Sequence, residues 1–309
     1  MSPAITFAIP YYRGRDYLVE AIESVRAQSA DDWELVVVDD AGPEQADDLI
    51  SVYDDPRMRY VRHAQNVGMT RNWNACLSLA RSPLVTLLHQ DDRLLPRYAE
   101  RVLEAARRYP GAAAYFTDVR VIGAAGDAGT SAADLAKKLA RRPRHDYALA
   151  GDAGLSAILA NNYIYCPALC LNRAVVGPDP FDPRWLMVQD LDFTTRQILA
   201  DRALVSVREV LFEYRRHVGN QTEAYTLDSS RFREEVELYR SLAFAAHERG
   251  WNRSERSARR RWMLRGHLVQ KALVDLVERR GRGARHKLAL LIADLRGRPI
   301  AEGASRREG

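Results

Sequence analysis

The sequence has few cysteines and no long apolar run. Only 3 of its 309 residues are cysteine, and Cys166 and Cys170 have no second Cys or His pair nearby at zinc-site spacing. This usage is typical of small apolar residues in a reduced compartment. No stretch reaches the roughly 18 apolar residues that a membrane span needs, and the opening "MSPAITFAIPYY" lacks the basic start of a secretory leader. We therefore expect a cytoplasmic protein.

Motifs that define several large enzyme classes are also missing. No G-x-G-x-x-G follows the first apolar strand pattern, and the chain contains no G-x-x-x-x-G-K-[ST], no H-E-x-x-H and no G-x-S-x-G. These absences argue against nicotinamide dehydrogenases, P-loop enzymes, zinc proteases and serine hydrolases.

Positive charge is concentrated in the last quarter of the chain. The net charge is +5, but residues 231–309 hold 20 basic and 10 acidic side chains, so the remainder is slightly acidic. A solvated helical face is the ordinary explanation of such a tail. An amphipathic segment such as 284–296 also suits contact with an anionic membrane at its inner face, and self-association into a homo-oligomer is a third alternative. We expect no nucleic-acid binding, because no basic motif interleaved with aromatics is present.

The first 120 residues alternate between short apolar strand patterns and helical patterns. Leu18, Ile22 and Val25, for example, fall on one face of a predicted helix. This alternation predicts βαβ units in an α/β fold with a mostly parallel central sheet, covered by helices on both faces. Strands are predicted at 5–10, 34–40, 84–89 and 112–118, and helices over 15–28, 70–80 and 96–109.

The rest of the chain divides differently. Residues 123–160 are predicted as a loop with one short helix, followed by strand patterns at 161–173 and 204–217 and a helix that begins near Asp190. From 228 onward the pattern is helical, with one long helix over 254–281 and another over 285–297. We predict a catalytic domain at 1–222, made of halves 1–120 and 121–222, and a basic helical extension at 223–309.

Polar and aromatic side chains follow the predicted strands of the first half. The carboxyl ends of parallel strands form the ligand-binding edge of such a sheet, so these groups should converge on one crevice. The strands end in Pro10-Tyr11-Tyr12-Arg13, in Asp39-Asp40 and in His89-Gln90-Asp91-Asp92.

Asp91 and Asp92 predict a site for a hard cation. Carboxylates bind Mg²⁺ or Mn²⁺ together with substrate phosphates, although one of the two acids could instead cap the next helix. Asp190 is a candidate general base on a separate element, with a helix cap as the alternative and Asp192 as its rival. His217 follows a later strand and could complete a carboxylate–metal site, or simply pack.

In order and spacing, these segments resemble the inverting family-2 glycosyltransferases with a GT-A fold. The matching stretches are "AIPYYRGRDYLVEAIESVRAQSADDWELVVVDDAG", "NVGMTRNWNACLSLARSPLVTLLHQDDRLLP", "FDPRWLMVQDLDF" and "YRRHVGN", and the resemblance covers about residues 4 to 220.

The resemblance implies a site residue by residue. Asp190 would be the catalytic base, Asp92 the metal ligand, His217 the C-terminal metal or diphosphate contact, and Asp91 would lie at the ribose. Trp185 and Gln189 are candidates for the acceptor side, with Trp185 either a sugar platform or a core residue. The nucleotide-sugar set would comprise Pro10, Tyr11, Tyr12, Arg13, Asp39, Asp40, Asn66, Gly68, Arg71, Gln90 and Asp91.

Three positions depart from the family pattern. His89 stands where many members have an Asp, Ala41-Gly42-Pro43 replaces the usual Gly-Ser, and Gln189 replaces an acid before the proposed base. The first departure leaves metal coordination to rest on Asp92 alone.

The resemblance implies transfer of a sugar from a UDP- or dTDP-sugar to a saccharide or lipid-linked hydroxyl, in polysaccharide biosynthesis. A non-catalytic nucleotide-sugar-binding scaffold is an alternative from another class. A nucleotidyltransferase is a weaker one, because Pro-Tyr-Tyr follows strand one in place of a Gly-rich phosphate loop.

Overall fold

The computed structural model describes residues 2–129, 142–217 and 229–297. The chain separates into two compact units, Met1–Val218 and Gly219–Gly309. None of the helices in the described ranges combines the length and apolarity that a membrane crossing requires.

The described part of the first unit is built on one nine-stranded mixed sheet, in the order β3-β2-β1-β4-β8-β6-β9-β5, with β7 also paired to β9. Strands β1 to β4 run parallel, as do β6 and β9, whereas β8, β5 and β7 are antiparallel to their neighbours. The strands are β1 (Ile5–Tyr11), β2 (Trp33–Asp39), β3 (Met58–Arg62), β4 (Leu84–Leu87), β5 (Arg93–Leu94), β6 (Ala114–Ile122), β7 (Tyr147–Leu149), β8 (Leu169–Asn172) and β9 (Leu204–Arg215).

Helices follow most of these strands. Leu18, Ile22 and Val25 of the first helix are fully buried against the sheet, as their spacing predicts. The described helices of this unit are α1 (Arg15–Arg26), α2 (Asp47–Tyr53), α3 (Met69–Leu79), α4 (Tyr98–Arg108), α5 (Gly151–Ala160), α6 (Arg173–Val176) and α7 (Gln189–Leu199), with a 3₁₀ turn at Cys166–Ala168.

Two predictions for this unit need correction. Residues 147–160 are ordered as β7 and α5, where we predicted mainly a loop; residues 130–141 of that segment lie outside the described residues. Of the strand predicted over 161–173, only β8 forms, and it runs antiparallel between β4 and β6. The sheet is therefore parallel from β3 to β4 and mixed from β8 onward.

The second unit contains α8 (Ser230–Glu248), α9 (Asn252–Arg260), α10 (Trp262–Val277) and α11 (Gly281–Leu295) among its described residues. The single long helix predicted over 254–281 is wrong. The chain breaks at Arg261, which adopts a left-handed backbone conformation. The Arg261 side chain donates to the buried carboxylate of Asp294 at 2.8 Å, and Arg265 donates to the other oxygen at 2.9 Å. This pairing is not visible in local periodicity.

A partly buried histidine, His267, should make the stability of this unit depend on pH. Burial, with the nearby positive charges of Arg231 and Lys271, lowers the pKa of His267 to about 4. Between about pH 6.5, the pKa of an unperturbed histidine, and pH 4, the unfolded chain binds a proton that the folded unit does not. The free energy of unfolding should therefore decrease as the pH is lowered through this window, by up to about 3 kcal/mol.

Thermal unfolding of the wild type and of His267→Gln between pH 7 and pH 4 would measure this contribution. The variant carries no titrating ring, so we expect it to lose less stability over this window than the wild type. An identical pH dependence for both proteins would contradict the assignment.

Candidate active site

The carboxyl ends of β1, β2 and β4 meet at one edge of the sheet, as predicted. The backbone N–H of Asp40 donates to the carbonyl of Tyr11 at 2.9 Å, and that of Leu88 donates to Ala8 at 3.0 Å. Backbone hydrogen bonds alone therefore hold the loops that follow these strands side by side.

Asp39 has a structural role at this edge. Its carboxylate is fully buried and accepts from the backbone N–H of Gly42 at 2.9 Å, from the Tyr60 hydroxyl and from the Arg62 guanidinium. Both of its oxygens are engaged, so the residue fixes the loop after β2 in place.

Asp40 joins two predicted nucleotide-binding segments. Its carboxylate accepts from the backbone N–H groups of Val67 at 2.6 Å and Gly68 at 3.0 Å, and its carbonyl accepts from the Asn66 side chain at 3.1 Å. Gly68 is the residue before α3 and has a φ of +87°, which favours glycine. Asp40 thus shapes the 66–68 turn, and any contact it makes with a base uses its remaining acceptor capacity.

Gln90 connects the β4 loop to the β1 loop. Its side-chain oxygen accepts from the backbone N–H of Tyr12 at 2.9 Å, and its amide group donates to the carbonyl of Arg13. Gly42 lies against the same segment, since a Cβ added there would fall 1.7 Å from the carbonyl oxygen of Tyr12. Only glycine therefore fits at position 42.

The two tyrosines after β1 differ in what they can do. Tyr12 is 43% exposed, so its ring is open to a ligand. Tyr11 is fully buried in the core, and burial raises the pKa of its hydroxyl to about 12. The prediction that the Tyr11 side chain contacts the nucleotide sugar is therefore not supported, because the ring lies in the core. Pro10 lies within β1, opposite Val38 of β2.

His89, Asp91 and Asp92 form a cluster in which one ligand atom from each lies within 4.8 Å of the others. Asp92 is 1% exposed; its Oδ1 accepts from the backbone N–H of Arg215 at 2.8 Å, and its Oδ2 is buried without a hydrogen-bond partner. Burial and then the charge of Asp91 raise the pKa of Asp92 well above its ordinary value.

The neighbouring groups of the cluster are ionised differently. Burial would raise the pKa of Asp91, but its contacts with His217 and His89 outweigh this, and the pKa is lowered. Burial lowers the pKa of His89. The cluster therefore combines a carboxylate, a second carboxyl whose ionisation is opposed by burial and by Asp91, and a neutral imidazole.

A divalent cation fits this donor set. An ionised Asp92 needs a positive partner for its buried Oδ2, and a cation would supply one. Oxygen and imidazole donors together suit Mg²⁺ or Mn²⁺, with nitrogen favouring the transition metal.

The structure links His217 to Asp91 rather than to Asp92. The imidazole Nε2 of His217 lies 3.0 Å from Oδ2 of Asp91, and its ring stacks on Tyr17 at 5.0 Å. Arg215 is almost fully buried beneath it and donates to the carbonyls of Asp91 and Ala124. The prediction that paired His217 with Asp92 as metal ligands is not supported by these contacts, in which His217 reaches the cluster through Asp91.

Asp190 and Asp192 both lie in the first turn of α7 and differ in exposure. Asp192 is 2% exposed and accepts from the Arg196 guanidinium at 2.8 Å. Asp190 is partly exposed and accepts from the backbone N–H of Leu191 at 2.8 Å. The helix N-terminus favours a charged carboxylate at this position.

Trp185 is a core residue, so the sugar-platform alternative is wrong for this conformation. Its ring is 3% exposed and covered by the Arg184 guanidinium at 4.5 Å. Its carbonyl accepts from the Thr70 hydroxyl of α3 at 3.2 Å. Gln189 is likewise buried, and its side-chain oxygen has no hydrogen-bond partner among the described residues.

A two-way hydrogen bond ties α3 to the segment before α7. The Asn74 amide donates to the carbonyl of Phe181 at 2.8 Å and accepts from its N–H at 3.1 Å. Arg71 is exposed in the first turn of the same helix, where it lines a surface groove together with Asp179 and Asp182. Its predicted contact with a phosphate stays a prediction.

Sequence reasoning missed three of these residues. From the sequence alone, His89 is interpreted only as a replacement for an acid. Its position at the end of a buried strand, close to two acids, could have indicated a metal-ligating role. Gly42 was treated as a departure, whereas it meets a steric requirement. Asn74 carried no local signal, because its partner Phe181 is 107 residues away.

The comparisons with known proteins point to glycosyltransferases. The family model for glycosyl transferase family 2 matches residues 6–150. The succinoglycan biosynthesis protein ExoO of Rhizobium meliloti is 35% identical over 104 residues, which cover 34% of this chain and 30% of that protein. EpsH of Bacillus subtilis, provisionally named as a glycosyltransferase, is 24% identical over 229 residues, covering 72% of this chain and 64% of EpsH. The chain thus matches only part of the length of these relatives.

Solved structures show the same fold. S. aureus TarS 1-349, crystallised in complex with UDP-GlcNAc, superposes with a TM-score of 0.61 at 11% identity, covering 98% of this chain and 95% of that one. A second crystal structure of S. aureus TarS 1-349 superposes with a TM-score of 0.57 at 12% identity, covering 98% of this chain and 94% of that one. At this identity the likeness concerns the fold, which is GT-A.

Proposed function

We propose, since residues 6–150 of the chain match the family model for glycosyl transferase family 2, that the protein transfers a sugar from a nucleotide diphosphate sugar to a hydroxyl of a saccharide or glycolipid acceptor, with inversion at the anomeric carbon. The observation that carries this proposal is the buried, unpartnered Oδ2 of Asp92 within the His89–Asp91–Asp92 cluster. That cluster lies at the carboxyl-end edge where ligands bind in open α/β sheets.

The donor nucleotide is assigned to the loops after β1, β2 and β4 and to the 66–68 turn. Asp40 and Gln90 hold these loops together through backbone hydrogen bonds, which presents Tyr12, Arg13 and Arg71 toward a ligand. The UDP-GlcNAc complex of TarS, a protein of the same fold, supports a uridine nucleotide; dTDP is the alternative that differs least from it.

In the proposed mechanism, Asp190 removes the proton from the acceptor hydroxyl as that oxygen attacks the anomeric carbon. Asp92, with His89 and Asp91 beside it, would hold a divalent cation that offsets the charge growing on the departing diphosphate. His217 orients Asp91 through the hydrogen bond between them. The mechanism needs no covalent sugar intermediate, because the attacking oxygen displaces the diphosphate directly.

The acceptor class follows from the relatives. ExoO is named for succinoglycan biosynthesis, and TuaG of Bacillus subtilis, 31% identical over 104 residues, carries a name that links it to teichuronic acid biosynthesis. We therefore assign this chain to the synthesis of a surface polysaccharide.

Calorimetric titration with UDP, dTDP and GDP, each with and without Mn²⁺, would test the donor site. We expect tight, metal-dependent binding of one nucleotide. Release of that nucleotide diphosphate from its sugar in the presence of saccharide acceptors would then establish transfer. Binding without release under any acceptor would favour the scaffold alternative, and no binding to folded protein would contradict the donor site.

We further propose that the second unit contacts an anionic membrane surface. Its two last described helices carry apolar side chains that face solvent, although Ala284, Lys287, Leu290 and Asp294 of α11 are buried. Arg279, Arg282 and Arg285 are exposed in and beside the turn between these helices. Apolar side chains beside arginines suit an anionic lipid interface. The exposed apolar residues are Trp262, Val269, Leu273, Leu276 and Val277 of α10 and Leu288, Ile292 and Leu295 of α11.

Replacing Leu273 and Leu276 together with glutamine should weaken co-sedimentation with phosphatidylserine-containing vesicles. Both side chains are more than half exposed, so the substitutions should leave folding intact. Phe244→Gln on α8, also exposed, is the matched control and should bind like the wild type. Absence of wild-type binding at both low and high salt would contradict the proposal, and light scattering would show whether the apolar surface instead joins two copies.

A further inference from the structure

Two buried polar atoms of the described residues that follow β4 are left without hydrogen bonds. Nε2 of His89 and Oδ2 of Asp92 both lack a hydrogen-bond partner, and their residues belong to one cluster with ligand atoms within 4.8 Å. A buried polar atom left without a partner costs about 1–3 kcal/mol. A shared ligand would satisfy both atoms at once.

The imidazole of His89 is held in place by its neighbours. It stacks on Trp73 with ring centroids 5.2 Å apart, and Trp73 in turn packs edge-on against Phe181 at 5.3 Å. Trp73 is 4% exposed and lies on α3, whose Asn74 is bound to Phe181. The orientation of the ring is thus set by the core rather than by a hydrogen bond.

Two carboxylate oxygens of the cluster already have partners. Asp91 is engaged with His217 at 3.0 Å, and Oδ1 of Asp92 accepts from the backbone of Arg215. The unpartnered buried atoms of the cluster are one nitrogen of His89 and one oxygen of Asp92, which is a mixed donor set rather than the oxygen-only surroundings that Mg²⁺ prefers.

We propose that His89 is a direct nitrogen ligand of the cation that Asp92 binds, and that this nitrogen makes the site select Mn²⁺ over Mg²⁺. The proposal deepens the proposed function, since this cation is the one that accompanies the donor diphosphate. His89 would then replace, with a different donor atom, the acid that many members of the family have at this position. Imidazole binds Mn²⁺ more readily than Mg²⁺, which prefers oxygen and water.

Pulsed electron paramagnetic resonance of Mn²⁺ bound to the whole protein, with and without UDP, tests this directly. Wild type should show the nuclear modulation of a directly coordinated ¹⁴N. His89→Asp should still bind Mn²⁺ but lose that modulation, and competition with Mg²⁺ should show a lower Mn²⁺-to-Mg²⁺ affinity ratio. His89→Gln, which is uncharged and closer in shape, should also lose the nitrogen signal.

His217→Asn is the matched control, because it removes the other nearby imidazole and should keep the nitrogen signal. Loss of the signal in His217→Asn with retention in His89→Asp would overturn the proposal, as would a wild-type Mn²⁺ spectrum without nitrogen or no Mn²⁺ binding with or without UDP. These readouts do not involve sugar transfer. A protein that binds Mn²⁺ through His89 but transfers no sugar would overturn the proposed function and leave this inference standing.

Discussion

Replacing Asp190 with asparagine should lower sugar transfer by roughly 10²–10⁴-fold, the usual contribution of a general base. The affinity for the donor nucleotide should stay unchanged, because Asp190 lies on α7 and not on the loops assigned to the nucleotide. Asparagine keeps the acceptor oxygen that binds the N–H of Leu191, so the first turn of α7 should remain intact. Steady-state release of nucleotide diphosphate, with calorimetry of nucleotide binding, would measure both effects.

Asp192→Asn is the matched control for this experiment. It lies two residues along the same turn, is 2% exposed and is bound to Arg196 at 2.8 Å. We expect it to lower the free energy of unfolding while the folded fraction transfers sugar at close to the wild-type rate. Equal losses of transfer in both variants would mean that the helix turn, rather than the Asp190 carboxylate, supports the reaction.

Replacing Asp92 with asparagine should abolish the metal dependence of nucleotide binding. A cation on the diphosphate contributes several kcal/mol of charge stabilisation, so the affinity for UDP in Mn²⁺ should fall by about 100-fold, at 1.4 kcal/mol for each factor of ten. Wild type treated with a chelator should show the same weakened affinity. Wild-type, Mn²⁺-dependent binding by Asp92→Asn would remove Asp92 from the site.

The same substitution should not destabilise the metal-free protein. Burial raises the pKa of Asp92, so the folded state resists its ionisation. The stability of the metal-free protein therefore falls as pH rises from about 4, the ordinary pKa of aspartate, through the raised value. At pH 7 asparagine avoids this cost and keeps the acceptor for the N–H of Arg215. We expect its melting temperature at pH 7 to equal or exceed that of the metal-free wild type, which excludes misfolding as the cause of lost binding.

The parts of the fold that the sequence predicts well are those with strong periodicity or fully buried strands. β1 and β2 lie within one residue of their predicted limits, and α1 buries the predicted face. The short strands β5 and β7 were not predicted, because two or three residues carry too little pattern and form only by pairing with β9. The chain breaks at Arg261, whose side chain bonds Asp294 33 residues away, and this contact has no local signature.

The same distinction applies to the site. Acids at strand ends are visible in the sequence because the topology brings the ends together, and Asp39, Asp40, Asp91 and Asp92 all lie at that edge. Their individual roles depend on partners from distant segments. The backbone of residues 66–68 meets Asp40, Arg215 meets Asp92 and His217 meets Asp91. Burial also decided between the two alternatives for Trp185 and placed Tyr11 in the core.

The bond between Asn74 and Phe181 restricts how this protein can be recombined with its relatives. The nucleotide half and the segment carrying Asp190 are fastened together at Asn74–Phe181 and at Thr70–Trp185. A chimera that exchanges residues 1–120 for those of another family member would bring in a foreign α3 and separate both pairs. Donor preference should therefore be transplanted by grafting the loops after β1 and β2 alone, with α3 and residues 181–190 inherited from one parent.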